Sequence, residues 1–214
     1  MISHRYKCIF IHIPKCGGTS IEDAIWPEPR KSEDLWMGFV SPFHNKYQTG
    51  GLQHLFGVQI REEVDEDNFN SYFKFTITRN PWDKAISQYF YMQKRPDLRS
   101  FLGMAEDDSF GNYLNLIQKK THVQWEPQSK FILDAKGNLL VDFVGRLENM
   151  DQDTQYIFQR IGLQEKITHV NSTKHKHYSV YYNAELQETV ADIYREDIRL
   201  LNYSFDRITE IPVG

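Results

Sequence analysis

The stretch Ile9-Phe10-Ile11-His12-Ile13-Pro14-Lys15-Cys16-Gly17-Gly18-Thr19-Ser20 decides the fold of this chain. Its first residues are almost continuously apolar, which is typical of an inner strand of a parallel sheet. A glycine turn follows, and a helical pattern begins at Ile21. The unpaired N–H groups and the dipole at the start of a helix favour an anion. The stretch therefore predicts a phosphate or sulfate site at a strand-turn-helix junction.

The residue types in the turn support this interpretation. A lysine supplies a cation, two glycines let an anion approach the backbone closely, and two hydroxyls follow them. A simpler alternative is an ordinary junction in which Thr19 or Ser20 caps the helix. Lys-X-Gly-Gly-Thr is more specific than a lone pair of glycines, and we therefore favour the anion site. The predicted anion-binding residues are Lys15, Cys16, Gly17, Gly18, Thr19 and Ser20.

Length and charge restrict the class of protein. A chain of 214 residues is long enough for one domain with a sizeable core. The 25 Lys and Arg residues against 29 Asp and Glu give a net charge of -4, so nucleic acid is not an expected partner and any anion site is local. No apolar run reaches the roughly 18 residues of a membrane span, and no signal-peptide pattern opens the chain. We expect a cytoplasmic protein whose mature chain starts close to Met1.

The cysteines predict neither a disulfide nor a metal site. The sequence contains two of them, Cys8 in the first strand and Cys16 in the turn. Extended chain rises about 3.3 Å per residue, which holds the two thiols apart. Their spacing is not that of metal ligands. Cys16 beside Lys15 is either a reactive thiol or, as we favour, a small residue tolerated in the turn.

Strands alternate with helices along the rest of the chain, which predicts an α/β fold with a central parallel sheet flanked by helices. We expect residues 1–214 to form a single domain. Strands are predicted at 6–13 and 72–78, and a hairpin at 131–145 that turns at 134–138. Helices are predicted at 21–26, within 52–60, and at 82–94, 110–119, 151–161 and 185–201, with an irregular loop at 30–51 that serves as a cover.

A second strand-to-helix junction repeats the logic of the first. Arg79 follows the strand at 72–78, at the carboxyl edge where α/β folds bind ligands. Pro81 marks the start of the next helix, and Ser87 lies about two turns into it. The simpler alternative is that Arg79 caps a neighbouring helix or pairs with Asp83. Two such junctions in one small chain favour two anion sites.

On these residues the chain resembles the sulfotransferase family that uses 3′-phosphoadenosine 5′-phosphosulfate, PAPS, as donor. In that family a Pro-Lys-X-Gly-Gly/Thr-Thr/Ser loop holds the 5′-phosphosulfate, and residues 14–20 match it. An Arg followed eight residues later by Ser holds the 3′-phosphate, matched by Arg79 and Ser87. Further matches lie at 128–131, 141–149 and 170–173. The resemblance covers about residues 8–200 and is to the bacterial and carbohydrate branch rather than to the phenol and steroid branch.

The resemblance implies a P-loop-like phosphosulfate loop and a metal-independent, in-line transfer of a sulfuryl group. The acceptor would be a hydroxyl, or less readily an amine, of a carbohydrate or glycoconjugate. Lys15 would stabilise the leaving group, and Arg79 would form a bidentate pair of hydrogen bonds with a phosphate. The acceptor also needs a general base with a pKa near neutrality. His54 is our first candidate because a histidine opens the corresponding short helix in related carbohydrate sulfotransferases.

His122 is the second candidate base and is alternatively a contact to the acceptor. His12 points from the first strand, and we interpret it as a core histidine beside the loop. Neither the acceptor nor the oligomeric state follows from the sequence.

Two alternative functions remain open. A P-loop kinase or hydrolase needs Gly-X-X-X-X-Gly-Lys-Ser/Thr, with the lysine after the glycines, whereas Lys15 precedes Gly17. A catalytically inactive nucleotide- or glycan-binding module is the other. Intact Lys15, Arg79 and Ser87 argue against such decay.

Overall fold

A computed structural model describes residues 1–26, 54–164 and 176–206 of the chain. The predicted cover loop at 30–51, the first residues of the predicted helix at 52–60 and the motif match at 170–173 lie outside the described residues. The chain divides into two compact units. The first consists of Met1–Thr78 and Gln128–Ser172, and the second of Arg79–Pro127 and Thr173–Gly214. A single domain over residues 1–214 stays a prediction.

The first unit is built on a mixed sheet of four strands in the order β1-β2-β3-β4. The last three strands are parallel, whereas β1 runs antiparallel to β2. The predicted α/β fold with a central parallel sheet is confirmed, and the antiparallel edge strand makes the sheet mixed. A tight turn containing Lys7, at φ 47°, folds β1 back onto β2. The strands are β1 (Ile2–Ser3), β2 (Cys8–Ile11), β3 (Phe73–Thr78) and β4 (Phe143–Arg146).

Ten α-helices are distributed between the two units in the described part of the chain. The first unit contains α1, α2, α3, α7 and α8, and the second contains the others. They are α1 (Gly18–Ile25), α2 (Gly57–Glu63), α3 (Glu66–Ser71), α4 (Pro81–Gln93), α5 (Pro96–Leu102), α6 (Phe110–Ile117), α7 (Ser129–Ile132), α8 (Met150–Ile161), α9 (Ala184–Ile193) and α10 (Arg195–Leu201). Short 3₁₀ turns lie at Val123–Trp125, Leu147–Asn149 and Tyr178–Tyr181.

The centre of the sheet is apolar and locked by side-chain hydrogen bonds. All four residues of β2 are buried, as expected for an inner strand. The rings of Phe10 and Phe75 stack with centroids 5.1 Å apart. The Thr76 hydroxyl donates to the Ile11 carbonyl at 2.7 Å, near the carboxyl end of β2. These contacts fix the strand end from which the turn at 14–17 departs.

The predicted hairpin at 131–145 is wrong, although its turn is real. The Asp134 carboxylate accepts from the N–H groups of Lys136 and Asn138, both at 2.9 Å. Only one antiparallel bridge, Leu133 to Leu139, surrounds the turn. The chain beyond it enters the sheet instead, since β4 pairs with β3 in parallel.

The second unit begins at a well-formed helix cap. The Asn80 side chain accepts from the Trp82 N–H at 3.0 Å, and Pro81 occupies the first turn of α4, as predicted. The helix predicted at 185–201 is in fact two helices, α9 and α10. They break at Tyr194, whose φ of -112° and ψ of 29° are not helical. Its buried hydroxyl donates to the Trp125 carbonyl at 3.0 Å, and this tertiary contact accompanies the break.

Candidate active site

The turn between β2 and α1 has two residues in the left-handed region. Lys15 has φ 66° and Gly17 has φ 78°. Helix α1 begins at Gly18, with Gly17 at the N-cap and no side-chain hydrogen bond capping it. The alternative in which Thr19 or Ser20 caps the helix is therefore wrong, since both lie within the first turn. A helix start without a side-chain cap is a suitable place for an anion.

The two glycines are required by packing as well as by conformation. A Cβ on Gly18 would lie 2.3 Å from the imidazole of His12. A Cβ on Gly17 would lie 2.6 Å from Leu147 Cδ1, at a φ that side chains rarely adopt. Gly18 thus lets the first turn of α1 lie directly against His12, and Gly17 lets the turn lie against Leu147.

We expect the substitution Gly18→Ala to destabilise the fold by about 1–3 kcal/mol, the usual cost of overpacking a dense core. The His12 ring is buried and has little room to move away from the new methyl group. Gly111→Ala in α6 is the control, since its Cβ would meet nothing closer than Leu186 Cδ2 at 3.4 Å. Denaturant unfolding measures both variants. Equal free energies of unfolding for the two would contradict this account of Gly18.

Cys16 anchors the turn and is buried. Its thiol lies 3.4 Å from Gln128 Oε1 and 3.5 Å from the Pro14 carbonyl oxygen. Gln128, which precedes α7, is itself completely buried. No disulfide joins Cys8 and Cys16. A packing role for Cys16 fits these contacts better than a reactive thiol.

A histidine pair lies beneath the start of α1. The Nδ1–H of His12 donates to the buried carboxylate of Glu22 at 2.6 Å. The rings of His12 and His54 meet edge to face, with centroids 4.4 Å apart. The Nδ1–H of His54 donates to the backbone carbonyl of His12 at 2.8 Å. His54 lies ahead of α2 rather than inside a helix, since α2 begins at Gly57.

The surroundings of His54 fix its tautomer and hold its pKa below the near-neutral value expected of the base from the sequence. A carbonyl only accepts hydrogen bonds, so Nδ1 of His54 carries the hydrogen and the lone pair of the neutral ring is on Nε2. Burial lowers the pKa of His54 well below its usual value near 6.5, and neighbouring His12 and Lys15 lower it further. His54 is therefore an unprotonated imidazole at neutral pH. Lys15 and His54 are also close enough to influence each other electrostatically.

The predicted 3′-phosphate residues lie in the second unit. Arg79 Nε donates to Asp83 Oδ2 at 2.9 Å, so the simpler pairing considered from the sequence is present. That pair does not exclude an anion, because a guanidinium has five N–H donors. Ser87 is completely buried, and its hydroxyl has no hydrogen-bond partner among the described residues.

The buried face of α4 carries polar residues that the sequence analysis missed. Lys84 and Gln88 share this face with Ser87, at the helical spacings of three and four residues, and all three are almost completely buried. Lys84 Nζ donates to the Glu126 carbonyl at 3.1 Å. Their helical spacing was a signal that could have identified them.

His122 has the opposite tautomer to His54. Its Nδ1 accepts from the Gln124 N–H at 3.1 Å, so Nε2 carries the hydrogen. That Nε2 is buried and has no partner among the described residues. Burial, with a further contribution from Arg95, lowers the pKa of His122 to about 4. This geometry makes His122 a hydrogen-bond donor and favours the alternative role of an acceptor contact, while its role as a second base stays a prediction.

Two features are absent from the described ranges of the chain. In residues 1–26, 54–164 and 176–206 no helix is long and apolar enough to cross a membrane. The same residues contain no group of three or more His, Cys, Asp or Glu placed to hold a metal ion.

Comparison with known proteins decides the family. Residues 1–204, nearly the whole chain, match the model of the family described as the sulfotransferase family. The chain belongs to the sulfotransferase family. The resemblance seen in the residues of the two junctions is confirmed at this level, and sulfuryl transfer is the chemistry of the family.

A solved structure shares the fold of this chain, and an uncharacterised relative is similar to about half of it. The crystal structure of a sulfotransferase from Alicyclobacillus acidocaldarius is similar with a TM-score of 0.50 and 16% identity. The similarity covers 94% of this chain and 97% of that one, and it shows a shared fold. An uncharacterised protein of Archaeoglobus fulgidus is 31% identical over 111 residues, which are 50% of this sulfotransferase and 82% of the relative.

Proposed function

We propose that this sulfotransferase takes the sulfuryl group from PAPS and transfers it to a hydroxyl of a carbohydrate or glycoconjugate. One observation supports this most strongly. A buried imidazole, His54, packs on His12 beneath the start of α1, in the same unit as the turn that carries Lys15. A base and an anion-binding turn in one unit are what transfer to a hydroxyl requires.

The turn at 14–17 and the first turn of α1 would hold the phosphosulfate. The helix start and Lys15 both favour negative charge there. As the S–O bond to the phosphate breaks, its electron pair stays on the phosphate oxygen. Lys15 stabilises that developing charge, and it does so most strongly where water is excluded.

His54 would accept the proton of the acceptor. The hydroxyl oxygen attacks sulfur as its proton passes to Nε2 of His54, and the 3′,5′-bisphosphate of adenosine, PAP, leaves. The hydrogen bond from Nδ1 to the His12 carbonyl keeps Nε2 as the basic atom throughout. The acceptor class rests on the sequence motifs shared with the carbohydrate branch.

Arg79 and Ser87 would hold the 3′-phosphate of the donor. The Ser87 hydroxyl supports this assignment, because it is buried without a partner among the described residues, and a phosphate oxygen would recover the free energy that this costs. Asp83 orients the guanidinium of Arg79 through Nε. Recognition of a 3′-phosphate would separate this donor from ATP-like nucleotides.

Ser87→Ala tests the 3′-phosphate assignment separately from folding. We expect the affinity for PAP to fall about 10- to 100-fold, the effect of a hydrogen bond to a charged group. The free energy of unfolding without ligand should be unchanged or higher, since the hydroxyl has no partner among the described residues. Calorimetric titration and denaturant unfolding measure the two quantities.

A matched variant and a matched ligand are the controls. Ser109→Ala removes the hydroxyl that caps α6 in the same unit, so it should lower stability without changing PAP affinity. Adenosine 5′-phosphosulfate lacks the 3′-phosphate and should bind wild type and Ser87→Ala equally. Unchanged PAP affinity in Ser87→Ala would refute the assignment.

A transfer assay tests the proposed reaction. PAPS carrying radiolabelled sulfate is incubated with the protein and a panel of glycans, phenols and small alcohols. Label on the glycans is the expected result, and label on the phenols alone would overturn the acceptor class. Tight PAP binding without transfer to any acceptor would support the inactive binding module, and phosphate transfer from ATP would support the kinase.

A further inference from the structure

His12 joins the two halves of the proposed chemistry within the first unit. Its ring fills the space that Gly18 leaves open at the start of α1. The same ring packs edge to face with His54, and its backbone carbonyl receives the Nδ1–H of His54 at 2.8 Å. One residue thus contacts both the anion-binding turn and the proposed base.

Glu22 holds the His12 ring from the other side. Its carboxylate accepts the Nδ1–H of His12 at 2.6 Å, and its side chain lies on the buried face of α1 between Ile21 and Ile25. Glu22 and His12 are 1% and 6% exposed. A buried carboxylate is costly unless it is hydrogen-bonded, and an apolar residue would fill this position at lower cost. The pair therefore calls for a role beyond packing.

The ring of His12 has little freedom in this arrangement. Phe10 stacks on it with centroids 5.3 Å apart, the Gly18 backbone lies against it, and Glu22 fixes its rotation. The face that His54 meets is consequently set by three independent contacts. His54 in turn is fixed by the ring of His12 and by the carbonyl of the same residue.

We propose that Glu22 and His12 form a positioning pair that holds His54 at a fixed place beside the phosphosulfate turn, with Nε2 as its basic atom. This proposal rests on the proposed function, in which His54 is the base that the pair positions. Reactions that need aligned groups are sensitive to displacement, and a misplacement of about 1 Å costs on the order of 10²-fold in rate. Because Gly18 and His54 both contact His12, the distance between the turn and the base is fixed.

Two variants remove the hydrogen bond while keeping the space filled. Glu22→Leu replaces the carboxylate by an apolar group of similar size that accepts no hydrogen bond, and His12→Phe keeps a planar ring beneath Gly18. We expect kcat to fall about 10- to 100-fold in both, with KM for PAPS and Kd for PAP within about threefold of wild type. His4→Phe is the control, because it removes another histidine hydrogen bond of the same unit, to the Tyr72 hydroxyl at 2.8 Å. Its kcat should be unchanged.

The tautomer of His54 supplies a measurement that a merely structural role would not move. Nitrogen-15 chemical shifts of the imidazole should show a single Nδ1–H form of His54 in wild type. In the two variants a fraction of the Nε2–H form should appear. An Nε2–H form in wild type would overturn the proposal even if neither variant folds.

The remaining outcomes are separable. Unchanged kcat in both variants, or a loss of kcat matched by an equal loss of PAP binding, would overturn the positioning role. A wild-type protein that transfers no sulfuryl group from PAPS would refute the proposed function instead, whatever the tautomer of His54.

Discussion

Replacing His54 by alanine is expected to lower kcat by about 10²- to 10⁴-fold, the usual contribution of a general base. Nε2 of His54 is the basic nitrogen of a ring whose other nitrogen is engaged by the His12 carbonyl. The affinity for PAP should stay within about threefold of wild type. His54 acts on the proton of the acceptor in the proposed reaction, and PAP binding involves no acceptor. Initial rates at saturating PAPS and calorimetric titration with PAP measure the two effects.

His122→Ala is the matched control for this prediction. In its present tautomer His122 offers a hydrogen at Nε2, so its loss should raise KM for the acceptor more than it lowers kcat.

The pH profile gives a second check, since only unprotonated His54 accepts a proton. Its pKa lies well below 6.5, so kcat/KM for PAPS should persist as the pH falls through 6.5 and decline only below that. Wild-type turnover by His54→Ala would remove His54 as the base.

Lys15→Met is expected to lower kcat by about 10²- to 10³-fold, in line with the removal of one group that stabilises charge in a transition state. Methionine retains the length of the side chain but lacks the ammonium. Donor affinity should fall as well, because the role proposed for Lys15 places its ammonium against the phosphosulfate before and during transfer. Steady-state kinetics with PAPS and titration with PAP distinguish the two losses.

Lys7→Met controls for the unusual backbone of this site. Lys7 also has a positive φ, 47° against 66° for Lys15, but it lies in the turn between β1 and β2. Its substitution should leave kcat and PAP affinity unchanged. Similar losses in the two variants would show that the effect at Lys15 comes from something other than its charge at the turn.

The two junctions could be predicted because their signals are local. The first junction is indicated by a buried strand followed by a lysine and two glycines. The second is indicated by Asn80 and Pro81. In each case the residues that set the backbone are neighbours in sequence. The structure shows Pro81 in the first turn of α4 behind the Asn80 cap, whereas α1 begins at Gly18, three residues before the predicted start at Ile21.

The missed features depend on partners distant in sequence. The turn at Asp134 is encoded locally, but β4 pairs with β3, some 70 residues earlier in the chain, as in the register of Phe75 with Phe143. The break at Tyr194 accompanies a hydrogen bond to Trp125. The hydrophobic pattern of the affected segment does not reveal either of these distant contacts.

The residues proposed for the site divide in the same way. Lys15 and His54 were proposed from their residue types, whereas the contacts of Glu22 to His12 and of Gln128 to Cys16 are buried and distant in sequence. His12 was interpreted as a core residue, and it is buried as expected. Its link between Gly18 and His54 required the fold.

Nucleotide binding tests the central claim, the use of PAPS as donor, most directly. The protein is heated with PAP, with ADP and with ATP and Mg²⁺, each at the same concentration, and its Tm is compared with that of the ligand-free protein. Selective binding to the folded state raises stability with ligand concentration. We predict a clear rise in Tm with PAP and little change with ADP or ATP. Equal stabilisation by ATP and PAP would contradict the account.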